Sequence, residues 1–85
     1  MNMDELYPIT IIKDRYSGTY SGARWLAFNM YPEHVYVLDV NGDDISCNWF
    51  WSGEANEYII GKGSTPDEAL ADLYSQTKNK KGSAE

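Results

Sequence analysis

The residues best equipped for recognition chemistry lie in the segment Asp14-Arg-Tyr-Ser-Gly-Thr-Tyr-Ser-Gly-Ala-Arg-Trp25. Asp14, Arg15, Tyr16, Tyr20, Arg24 and Trp25 place charged, hydroxyl and aromatic groups around two Ser-Gly steps. The glycines allow positive φ or close backbone approach, so the segment reads as a loop or hairpin tip. Such a tip can grip a small ligand or a protein edge. Stacking and cation–π contacts from Tyr16, Tyr20, Arg24 and Trp25 would suit a nucleotide-like molecule, and the protein would then be a small-molecule sponge or sensor. The same residues equally read as a decorated turn.

A second aromatic concentration is Trp49-Phe50-Trp51, in a chain whose 85 residues include three Trp, seven Tyr and two Phe. On a strand, successive side chains alternate between faces, so Trp49 and Trp51 point opposite to Phe50. A sheet covered by one helix leaves one of those faces to solvent, a partner or a second copy. Tyr and Trp dominate binding hot spots, which makes Trp49 and Trp51 candidate contact residues. The competing reading is a crowded core in a small domain.

No constellation for catalysis or metal binding emerges. His34 is the sole histidine, and no neighbouring residue supplies a nucleophile for it to activate. Cys47, the sole cysteine, has no signature of a cysteine enzyme around it and reads as a buried reduced thiol. Asp39, Asn41, Asp43 and Asp44 gather oxygen ligands at one turn, but the glycine and glutamate positions of a calcium loop are wrong. Gly61-Lys-Gly-Ser-Thr65 leads into a helix start, yet matches neither the Walker loop nor the dinucleotide fingerprint. The expectation is a non-enzymatic protein without cofactor or metal.

The elements that must position these residues are suggested by local pattern. Pro8–Lys13 is rich in β-branched residues, and Arg24–Asn29 resumes strand character before Tyr31-Pro32 interrupts it. Val35–Val40 and Asp43–Trp51 flank Asn41-Gly42, the preferred dipeptide of a type I′ hairpin turn. Glu57–Ile60 reads as a last short strand, closed by Gly61 and Gly63. Thr65-Pro-Asp-Glu68 then combines an N-cap, a proline at the first helical position and a capping-box glutamate. Ala69, Leu70, Leu73, Tyr74 and Thr77 follow with helical spacing. The predicted fold class is α+β: an antiparallel β-meander of four to five strands with one C-terminal helix, near residues 65–78, packed on the sheet. Residues 1–78 form the expected single domain and 79–85 a disordered basic tail.

The charge is unevenly distributed. Against a total of −6, residues 1–77 hold twelve acids and four bases, a net −8. Such a body is repelled by phosphate backbones, which argues against direct nucleic-acid binding. No run approaches the roughly 18 apolar residues of a membrane span, and the N-terminus lacks a signal-peptide pattern, so a cytoplasmic protein without membrane association is expected. Exposed aromatics also permit a homodimer.

Tyr58-Ile-Ile-Gly-Lys-Gly-Ser-Thr-Pro-Asp-Glu-Ala-Leu-Ala-Asp-Leu73 resembles the strand-to-helix segment of HicB-type antitoxins, where a Gly-x-Thr-x-x-Glu-Ala pattern opens the helix. That resemblance implies toxin neutralisation. The segment from Asp14 to Trp25, Asn48-Trp-Phe-Trp51 and the Gly-x-Gly-x-Thr-Pro-Asp-Glu-Ala helix start together look like a group of small uncharacterised phage and prophage proteins. This second resemblance implies an accessory protein in a bacterial cytoplasm. By analogy it implies an inhibitor of a host or defence protein, acting through an acidic, aromatic-rich surface.

Overall fold

The computed structural model describes residues 6–84, with side chains described through Thr77. Three short strands form an antiparallel sheet in the order β1 (Thr10–Lys13), β2 (Trp25–Phe28), β3 (Ile60–Gly63). In the central strand, Phe28 pairs with Thr10 on one side and Ile60 on the other, and Trp25 pairs with Lys13 and Gly63. This register sends Leu26 and Phe28 to one face and Trp25 and Ala27 to the opposite one.

Both faces are covered. On the first, Leu26, Phe28 and Ile60 pack with Val35, Val40 and Phe50, which come from the segment between β2 and β3. That segment forms two helices, α1 (Pro32–Val37) and α2 (Asp44–Ser52), followed by a 3-10 turn at Glu54–Glu57. On the second face, Ala27 packs with Leu6, Ala69 and Leu73, the last two carried by the C-terminal helix α3 (Pro66–Ala84). The α+β class and the C-terminal helix on the sheet therefore stand as expected.

The Asn41-Gly42 hairpin and its two strands do not form, and the sheet has three strands among the described residues rather than four or five. A type I′ turn needs positive φ at both central residues, but in this connection it is Asp39, with φ of 59°, that takes the left-handed conformation. Two helix starts compete with the hairpin. Pro32 occupies the first helical position of α1, and Asp43 caps α2 by accepting the Ser46 N–H at 2.9 Å. Helical spacing then turns Cys47 and Phe50 inward and leaves Trp49 outside. The last strand begins later than expected, because Glu54–Glu57 is spent on the 3-10 turn.

The start of α3 follows the expected capping chemistry with one shift. Thr65 Oγ1 accepts the Glu68 N–H at 3.1 Å, while Glu68 Oε1 accepts from the N–H of Ser64, not of Thr65, at 3.0 Å. The helix expected near residues 65–78 runs on to Ala84.

Candidate functional site

The 14–24 loop is built around Asp14, whose buried carboxylate accepts the Gly18 N–H while its own N–H donates to the Arg24 carbonyl at 2.8 Å. Its second oxygen, Oδ1, is buried without a hydrogen-bond partner. Ser17, Gly18 and Gly22 take positive φ at 55°, 92° and 91°, the backbone conformation that reverses the chain within this loop. The tip does not stand free.

It is fastened to the connection between α1 and α2. Asn41 Nδ2 donates to the Lys13 carbonyl at 2.8 Å, and Asn41 Oδ1 accepts the Arg15 N–H at 3.0 Å. The Gly42 carbonyl accepts from Arg15 Nη1 at 3.1 Å and from the Tyr16 hydroxyl at 3.0 Å. Tyr20 donates its hydroxyl to Asp44 Oδ1 at 3.0 Å, and its ring meets that of Tyr16 edge-on, with centroids 5.4 Å apart. The bond to Asp44 raises the Tyr20 pKa above the ordinary tyrosine value, and burial does the same for Tyr16. Both rings are therefore neutral donors whose hydroxyls are committed within the fold.

The candidate residues thus fall into separate places. Arg15, Tyr16 and Tyr20 hold the loop against the helical layer, while Asp14 organises the loop from within. Arg24 is exposed at a concavity lined also by Lys62, Ser64 and Glu68, whereas Trp25 is half-buried against the α3 side of the sheet. Trp51 is half-buried; its Nε1 donates to the Val40 carbonyl at 3.3 Å and Lys62 Nζ lies 5.4 Å from its ring centroid. Trp49 alone among them is a large apolar side chain left in water, 67% exposed.

Around Trp49 the helical layer presents an apolar surface that the sequence reading did not anticipate. Val37 at the end of α1 is 76% exposed and Ile45 in the first turn of α2 is 83% exposed. With Leu38, Asp39, Ser46, Trp49 and Glu54 they line a groove of about 380 Å³. A second groove of about 290 Å³ adjoins it across Asp39, with Tyr36 on its rim and Ile12, Val35 and Val40 among its walls. Residues 30–58, which supply most of this surface, contain six acids and no Lys or Arg. The available signal in sequence was Ile45 and Trp49 themselves, four apart and so on one helix face once Asp43 is recognised as a cap.

Comparison with protein-family models, curated proteins and solved structures finds no match. The chemistry must therefore be read from the geometry alone. His34 is exposed on α1 with its ring near Tyr31, and the Cys47 thiol is buried and donates to the Val40 carbonyl at 3.3 Å rather than to an imidazole. Among the described residues, no group of three or more His, Cys, Asp or Glu side chains is placed to hold a metal ion. None of the described helices is long and apolar enough to cross a membrane.

Proposed function

We propose that this protein works by binding, holding a basic partner protein against the face formed by α1 and α2. One observation carries the reading: the 30–58 segment combines six acids and no Lys or Arg with exposed Tyr36, Val37, Ile45 and Trp49. Large apolar side chains held in water find their natural cover in a partner, and a net acidic surround, with Arg15 beside it at Gly42, selects one with complementary charge. Trp49 lies on helix α2 and not on a strand, which supports reading the helical layer as the contact surface.

In its sharper form the reading is that of a phage-encoded inhibitor of a host or defence protein, acting in the bacterial cytoplasm on the basic surface with which that protein meets nucleic acid. The resemblance of the Asp14–Trp25 and Asn48–Trp51 segments to phage proteins supports the setting. The test is affinity capture from bacterial lysate, followed by binding measurements on the purified partner. Glu54→Lys combined with Glu57→Lys, which touches no bond that fastens the loop, should weaken binding at least about tenfold, and Ser75→Lys on the exposed side of α3 should not. Binding that tolerates the double reversal, or that is unchanged at high salt, would sink the proposal.

A further inference from the structure

We infer that the element this face receives is a basic amphipathic helix, seated along the groove between α1 and α2 with its apolar stripe on Ile45 and Trp49. The inference rests on the binding reading above and specifies its partner.

Three observations on the groove converge. Its apolar contacts Val37, Ile45 and Trp49 are side chains on helices and Leu38 caps α1, so no open strand edge is offered here to an extended peptide. Ile45 and Trp49 stand four residues apart on α2, and a partner helix presents its own i and i+4 side chains at the same interval of about 6 Å. The acids are arranged around the apolar centre: Asp39 and Glu54 line the groove, and Asp44, which accepts the Tyr20 hydroxyl, lies just beyond Ile45 on the open surface shared with Asn48. An apolar stripe flanked by Lys and Arg is the complement of that pattern.

Charge also discriminates among occupants. A second copy seated symmetrically would set this segment of six acids without Lys or Arg against itself, and anionic phosphate surfaces are repelled by it.

The experiment titrates the full chain with three synthetic peptides of about 14 residues, four helical turns each, and follows backbone amides and tryptophan indoles by NMR. One peptide carries leucines at i, i+3, i+4 and i+7 flanked by lysines, the second has the same composition scrambled, and the third replaces lysine by glutamate. The first should perturb Trp49, Ile45 and Val37, and Trp49→Ala, which alters an exposed side chain, should weaken it by about tenfold. The glutamate peptide should leave the groove unperturbed. If scrambled and ordered peptides bind equally at these residues, the helix inference falls and the basic-partner reading stands. If neither lysine peptide perturbs the groove, or if the groove signals shift with protein concentration alone, both fall.

Discussion

Asp43 accepts the Ser46 N–H one residue ahead of α2, and that bond to the ionised carboxyl holds it below the usual carboxylate range. With a folded-state pKa below the unfolded value of about 3.9, the cap contributes its stability fully above that value. The contribution is lost as the pH falls through the folded pKa. Asp43→Asn caps the same helix without titrating. Wild type should therefore lose urea-unfolding midpoint relative to Asp43→Asn between about pH 5 and pH 2, and a difference that stays constant across that range would remove the carboxylate from the cap. Cys47 gives a second prediction at this scale. Burial pushes its thiol pKa up, Asp14 and Asp44 add to the shift, and the side chain is fully enclosed. A disulfide reagent should label it no faster than the whole domain opens, with the rate rising in urea. Prompt labelling in native buffer would place Cys47 at the surface.

At the scale of elements, the contact of α3 with β3 is the most demanding in the fold. A methyl group at Gly61 would overlap the Ala69 carbonyl oxygen and the Leu73 N–H, and one at Gly63 would meet the Ala69 N–H, so the helix rests directly on strand backbone. None of these atoms can move without displacing the helix. Gly61→Ala should cost about 3 kcal/mol, the upper part of the range for overpacking a core. Gly22 has φ of 91° and open space around it, so Gly22→Ala should cost only the left-handed strain of about 1 kcal/mol. Chemical denaturation of both variants checks the pair, and equal costs would show that α3 stands off the strand. This junction was legible in sequence because its signals are local: a capping box, a proline at the first position, and glycines at the strand end. The helices α1 and α2 were not. Val35-Tyr-Val-Leu-Asp-Val40 spans too few residues to separate a period of 2 from one of 3.6, and Asn41-Gly42 supplied a hairpin signal. What decides is tertiary: Val35, Val40 and Phe50 fill the space over Leu26 and Phe28, while Asn41 is spent clamping Lys13 and Arg15. The surface followed the same logic, since Trp49 was legible as a contact residue but its companions Val37 and Ile45 emerge only once the segment is helical.

For the molecule as a whole, charge acts with opposite sign on folding and on binding. The net charge of −6 is concentrated where residues 30–58 carry six acids without a Lys or Arg, and these acids repel one another in the free protein. Raising sodium chloride from about 0.02 to 0.2 M shortens the Debye length from roughly 20 to 7 Å. The free protein should gain thermal stability over that interval. A Glu54→Gln, Glu57→Gln variant, with two fewer charges on this layer, should gain less. The attraction to a basic helix is screened by the same ions, so affinity for the lysine peptide should fall across the same series. Melting curves and peptide titrations on one set of samples separate the two effects. A free protein destabilised by added salt would mean that attractive pairs outweigh the repulsion, and the acidic layer would then be a part of the fold's own electrostatics instead of a surface held ready for a partner.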